Sequence, residues 1–160
     1  MIGPDEFRRL LGHFATGVTV VTTSDGDGRP SGLTVSAFAS LSLDPPLVLV
    51  CVDHKSQTYP ALRERGKFVV NLLTADQEAV SRRFASTRLD KFDDVPYRPS
   101  AHGLPLIEAA LAHIECVTVS THIEGDHTIF VGRVEHATVA AGEPLLYFRG
   151  QYRRLPEDPA

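Results

Sequence analysis

Thr34, Ser36, Ser40 and Ser42 crowd into the segment SGLTVSAFASLSLDPPLVLV, residues 31–50. Hydroxyls that dense, on small side chains, can face a polar ligand while leaving the backbone open to close approach. A second set, Asp53-His54-Lys55-Ser56, stands where a strand should end and a helix begin. Orphan N–H groups, the helix dipole and a lysine favour an anion there, although the same residues also make an ordinary solvated cap. His127, after Gly125-Asp126, ends a turn from which an imidazole can donate a hydrogen bond or lie flat on a planar ligand. An exposed turn histidine is the plainer reading of that position.

Other chemistries are excluded by spacing. His122, Glu124 and His127 are metal-capable types, but they fit no recognised ligand set, so no metal is expected. Asp25-x-Asp27-Gly28 opens like a calcium loop. That loop needs Gly at its sixth position and Glu at its twelfth, where this chain has Pro30 and Ser36. A hairpin turn is expected there instead. The chain has no G-x-S-x-G elbow, no Walker loop and no G-x-G-x-x-G after a strand, so glycine-loop recognition of a phosphate is absent. A dinucleotide would have to be held by hydroxyls, backbone N–H groups and a lysine.

The elements that must position these groups follow from pattern. Pro4-Asp5-Glu6 ahead of Phe7, Leu10, Leu11 and Phe14 predicts a helix, closed by Gly17. Residues 18–23 are β-rich and predict a strand, and 24–30 a hairpin loop. The hydroxyl-rich run 31–43 turns a corner at Asp44-Pro45-Pro46. It leads into 47–52, whose unbroken apolar sequence reads as a strand buried on both faces. Ser56 is expected to cap a helix through Ala61, Leu62 and Arg65, closed by Gly66. Residues 67–73 form a further buried strand. Thr74 caps a second helix, with Gln77 in the capping-box position, reaching Phe84. Residues 86–107 read as a long ordered loop packed by Phe92, Val95, Tyr97 and Leu104. Two long strands flank the Glu124-Gly125-Asp126-His127 turn, 145–152 is the last strand, and 156–160 a frayed tail. The expected architecture is mainly β with short helices, a decorated β-barrel in one domain over 1–160 with its core at about 7–152.

Composition narrows the class. A chain of 160 residues, 42% hydrophobic and 22% charged, is large enough to build a core without staples. A net charge of −4 and no basic cluster beyond isolated arginine pairs argue against nucleic acid. No apolar run approaches the ~18 residues of a membrane span, and the first residues, MIGPDEF, carry no export signal. Cys51 and Cys116, both in apolar strand-like runs, are expected as free, inert thiols in a reducing cytoplasm.

Several motifs then stand in order: Phe14-Ala15-Thr16-Gly17-Val18-Thr19-Val20, Gly32-Leu33-Thr34-Val35-Ser36-Ala37-Phe38, and Ser40-Leu41-Ser42-Leu43-Asp44-Pro45-Pro46-Leu47-Val48. Phe84-Ala85, Asp90-Lys91-Phe92, Gly103-Leu104-Pro105, Gly125-Asp126-His127 and Leu145-Leu146-Tyr147-Phe148-Arg149-Gly150 follow. In their order and spacing, from Phe7 to Tyr152, the chain resembles the short-chain flavin reductases, the reductase components of two-component flavin-dependent monooxygenases.

The resemblance implies a flavin-binding split β-barrel, a homodimer, and hydride transfer from NADH or NADPH to FMN or FAD, with reduced flavin passing to a separate oxygenase. Carried onto this chain, it lays Thr34, Val35, Ser36, Ala37 and Phe38 along the isoalloxazine. It gives Ser40 and Ser42 to the ribityl and phosphate part, and completes the flavin site with Cys51, Asp53, Lys55, Ser56, Phe84, Ala85 and Lys91. His127 is the implied catalytic contact, flanking the nicotinamide with Tyr152 and Arg153. Ala37 stands where the family often has Ser, which removes one hydroxyl and leaves FMN against FAD open. A site of small residues and backbone suits such chemistry, because the cofactors carry it themselves and need no acid–base pair. Two other readings use the same barrel. One is a flavin-holding module without turnover. The other is an oxidase of the pyridoxamine-phosphate type, disfavoured by the lack of a phosphate-clamping arginine set.

Overall fold

The computed structural model describes residues 1–156; 157–160, most of the expected tail, lie outside the described residues. Helix α1 spans Pro4–Leu11 and stops at Gly12 rather than at Gly17. Gly17 instead belongs to a two-residue strand, β1 (Thr16–Gly17). Strand β2 (Thr19–Ser24) and strand β3 (Pro30–Val35) are joined by the expected hairpin loop. Asp25 organises that loop: its carboxylate accepts the N–H groups of Asp27 and Arg29 at 3.0 and 2.8 Å. The run 31–43 is not one strand, for it breaks at Ser36-Ala37 before strand β4 (Phe38–Leu43). A tight turn at Asp44-Pro45, whose peptide bond is cis, leads into strand β5 (Pro46–Asp53).

Helix α2 (Tyr59–Arg65) ends at Gly66 in the left-handed region, φ 63°, as its sequence predicts. Ser56 caps no helix; it turns the chain upstream, its hydroxyl accepting the Thr58 N–H at 3.2 Å. After strand β6 (Lys67–Leu72), helix α3 (Glu78–Ala85) begins four residues later than its capping signal. Gln77 does bond back to the Thr74 N–H at 3.1 Å, but this closes a turn ahead of the helix. The long loop holds a small hairpin, strand β7 (Tyr97–Pro99) with strand β8 (Pro105–Ile107). Strands β9 (Ala112–Glu124) and β10 (His127–Val139) pair around Gly125. The final segment is two strands, β11 (Leu146–Phe148) and β12 (Gln151–Arg153), because Arg149 and Gly150 both adopt positive φ and fold it into a hairpin.

The main sheet is antiparallel in the order β3-β2-β6-β9-β10-β5-β4. Its two edge strands are consecutive in sequence, so the sheet must curl until its edges meet at Ser36-Ala37. The Cys51 N–H donating to the Ala37 carbonyl at 3.0 Å marks that seam. Val21, Val35, Val50, Val52, Phe68, Val70, Cys116 and Phe130 fill the barrel. Residues 47–52 alternate between buried and half-buried, so β5 covers its core on one face only. The middle of β6 is buried on both faces, and so is β2 along its whole length. Its outer side lies under a second cluster that includes Phe84 of α3, Val95, Ile107 and Leu145. Its buried hydroxyls are satisfied: Thr19 and Thr23 donate to the Val35 and Lys67 carbonyls, and Thr22 to that of Pro105.

Gly132 sits where β10 is closest to the barrel core. A Cβ there would lie 2.5 Å from the Phe68 ring and 2.8 Å from Cys116 Cβ. Gly132→Ala is therefore expected to lower stability by about 1–3 kcal/mol through overpacking. A chemical-denaturation midpoint equal to that of the wild type would contradict this.

Candidate functional site

A cleft of about 240 Å³ opens where β3, the end of β5 and the end of α3 converge. Leu33, Thr34, Phe84 and Ala85 form one wall, and Asp53, Lys55, Ser56 and Gln57 the other, with Ser86, Thr87 and Lys91 closing the end. Asp53 shapes its own turn, its carboxylate accepting the Lys55 N–H at 2.8 Å. Gln57 ties the two walls together by donating to the Thr87 carbonyl at 3.2 Å. Gly32 lets β3 approach α3, since a Cβ there would meet the Phe84 ring at 2.8 Å.

Lys91 decides the character of this cleft. The residue is only 8% exposed, and its ammonium donates to the Phe84 and Gly32 carbonyls at 3.1 and 3.3 Å. Burial pushes its pKa below the ordinary lysine value, and no neighbouring carboxylate opposes that fall. An ammonium has three donors, so one remains after the two carbonyls. A buried cation without a counter-ion is costly unless an anion completes it. Arg83 holds the loop that carries it, donating to the Asp90 and Lys91 carbonyls at 2.7 Å each.

The other residues singled out from sequence fall in different places. Val35 is buried in the barrel core, so only its backbone can face a ligand, whereas Phe38 is half-buried against that core. Ser36 and Ala37 are exposed at the seam. Cys51 is half-buried, and burial raises its thiol pKa. Ser40 and Ser42 are placed differently from the sequence expectation. They pair with Val48 and Leu47, which at ~3.3 Å per residue lie about 17 and 20 Å along β5 from Asp53. The hairpin carries them away from Lys55 and Ser56, so the two pairs cannot hold one phosphate. His127 lies opposite Asp53 in the β5–β10 ladder, about 5 Å away between Cα atoms. It is therefore beside the cleft without lining it. Its Nδ1 bonds the Asp126 carboxylate at 2.7 Å, and that bond holds the Asp126 pKa below its ordinary value. A carboxylate only accepts, so Nδ1 carries the proton and Nε2 is left for another partner. Tyr152 reaches the site indirectly: its hydroxyl bonds Ser81 Oγ at 2.7 Å, while the Ser81 carbonyl accepts from Thr34 at 2.7 Å. Arg153 is exposed and donates to Gln151 at 2.6 Å.

A family model described as a flavin reductase like domain matches residues 11–156. The chain belongs to the flavin reductase family. Among its relatives, the reductase subunit HsaB of a flavin-dependent monooxygenase from Mycobacterium tuberculosis is 45% identical, the match covering 94% of this chain and 82% of the relative. A flavin reductase (NADH) from Kitasatospora aureofaciens is also 45% identical, over 99% of this chain and 86% of its own. A Streptomyces globisporus NADH:FAD oxidoreductase, solved in complex with NAD and FAD fragments, superposes with a TM-score of 0.92 at 40% identity, covering 100% of this chain and 99% of the other. The split barrel is thus the fold of a flavin reductase. Within that family frame, Leu33, Gln57, Ser86 and Thr87 are cleft residues that pattern reading missed. Each stands within two residues of a predicted one: Leu33 adjoins Thr34, Gln57 follows Ser56, and Ser86 and Thr87 follow Phe84-Ala85.

Proposed function

We propose that this chain transfers a hydride from NADH or NADPH to FMN or FAD and releases the reduced flavin to a separate monooxygenase. The buried ammonium of Lys91 carries the reading, because it is held by two carbonyls without a carboxylate partner in a wall of the cleft, where a flavin phosphate would complete it. Lys55 and Ser56 add a second cation and a hydroxyl at the same end, and the Leu33 and Phe84 side chains give an apolar wall. The donor set therefore fits a flavin phosphate joined to a planar apolar ring. Bound flavin supplies the hydride acceptor, chemistry that belongs to the cofactor. The protein's part is to hold and orient. Relatives named as NADH-dependent flavin reductases support the choice of donor.

His127, presenting Nε2 beside the cleft, is the residue we assign to the nicotinamide. His127→Ala is expected to raise the KM for NADH about tenfold, the worth of one hydrogen bond in a partly desolvated site, and to leave the flavin Kd unchanged. An unchanged KM would remove His127 from the site.

The working unit we propose is a homodimer in the cytoplasm. The surface around α1 supports the dimer, because Phe7, Leu10 and Leu11, with Phe14 just after the helix, all stand exposed among the described residues, Phe14 by 74%. No helix among the described residues is long and apolar enough to cross a membrane. The test of the function is steady-state turnover with each nicotinamide and each flavin. Loss of nicotinamide absorbance that depends on both protein and added flavin supports the reading, and flavin binding without turnover overturns it.

A further inference from the structure

His54 stands in the turn that ends β5, between Asp53 and Lys55 of the cleft wall, yet it is not one of the residues lining the cleft. Its side chain turns instead to β10. The ring Nε2 lies 2.9 Å from the Thr128 hydroxyl, and the Tyr59 hydroxyl of α2 reaches the same oxygen at 3.0 Å. A hydroxyl has one hydrogen and two lone pairs, so Thr128 serves both rings at once. The two rings also pack on each other, tilted at 47° with centroids 4.9 Å apart, and Tyr59 meets Phe130 of the barrel core edge-on. Thr128 is only 2% exposed, so the contact is desolvated and its loss is costly.

What this contact brackets is His127. The backbone N–H of His54 donates to the Asp126 carbonyl at 3.0 Å, while its ring holds Thr128. One residue therefore grips the chain on both sides of His127, whose Nδ1 is itself bonded to the Asp126 carboxylate. We propose that His54 is a positioning residue, acting through Asp126 and Thr128 to set the direction in which His127 presents Nε2 to the nicotinamide. The proposal rests on the assignment of His127 to that ring. Because His54 shares its turn with Lys55 and Ser56, it also registers the nicotinamide contact against the flavin-phosphate end of the cleft. Hydride transfer depends on that registration, since both cofactors must be held in a reactive geometry.

His54→Phe keeps a ring against Tyr59 and removes the nitrogen, whereas His54→Gln places an amide nitrogen near the position of Nε2. His54→Phe is expected to raise the KM for NADH about fivefold, the worth of one hydrogen bond, and His54→Gln to restore the wild-type value. The flavin Kd should not move, because Lys91 lies on a different segment. In a His127→Ala background the same substitution should change the KM by no more than about twofold, as expected of residues acting through one another. Thr128→Val breaks the contact from the other side and serves if the phenylalanine variant fails to fold. The Asp126 carboxyl, held below its ordinary pKa by the His127 bond, gives a readout independent of turnover. Carbon NMR should find it titrating at higher pH in His54→Phe than in the wild type, and unmoved in His54→Gln. An unchanged KM in His54→Phe, an equal rise with and without His127, or an unmoved Asp126 titration overturns the proposal while the His127 assignment stands. A KM that His127→Ala itself leaves unchanged sinks that assignment, and the proposal with it.

Discussion

Lys91→Met is expected to weaken flavin binding about a hundredfold, because it removes a charge-assisted donor from a desolvated site. Isothermal titration of FMN and FAD into the variant would measure this, with circular dichroism verifying the fold. The pH dependence sharpens it. Burial lowers the folded-state pKa of Lys91 below 10.5, so the ammonium is lost at a lower pH than an ordinary lysine would require. Flavin affinity should fall as pH rises through that lowered value. The stability of the unliganded protein should move the other way. The cost of the buried charge is fully present below the folded-state pKa and is relieved as pH climbs towards the unfolded value. Lys91→Arg, which does not titrate in this range, should lose the alkaline fall in affinity. Flavin affinity in Lys91→Met within a factor of about two of the wild type would remove the anion site from the cleft.

The second large effect concerns assembly. Phe14→Asp, just past the end of α1 and beside its exposed apolar residues, is expected to raise the dimer dissociation constant about a hundredfold, as loss of a buried aromatic anchor does at an interface centre. Light scattering coupled to size exclusion, over a dilution series, reads this directly. Its fold should survive, because Phe14 is 74% exposed and belongs to none of the buried clusters. A wild type that is monomeric at every concentration would exclude the dimer.

Local signals in the sequence were reliable where the chain alone decides the geometry. Gly66 ends α2, Asp25 and Gly28 shape the first hairpin, and Gly125 turns β9 into β10. Positions that depend on sheet closure were not legible. Ser40 and Ser42 share the hydroxyl-rich segment 31–50 with Thr34, yet the break at Ser36-Ala37 sends β3 and β4 to opposite edges of the sheet. The hydroxyls therefore divide between the two sides of the seam. The apolar run 47–52 suggested burial on both faces, but that environment belongs to β6 and to β2, and the threonines of β2 hide it from a hydropathy reading. Gln57 and Thr87 meet only because the 53–57 turn and the end of α3 pack together, which no local pattern encodes. Lys91 entered through family resemblance, and what sequence could not supply was its burial.

Hydride transfer itself is the central claim, and anaerobic rapid mixing of the flavin-loaded protein with NADH tests it most directly. The account predicts bleaching of the flavin with one equivalent of NADH, and slower bleaching when the transferred hydrogen of NADH is replaced by deuterium. Flavin that stays oxidised on the protein, at a rate no faster than free flavin with NADH, would contradict it.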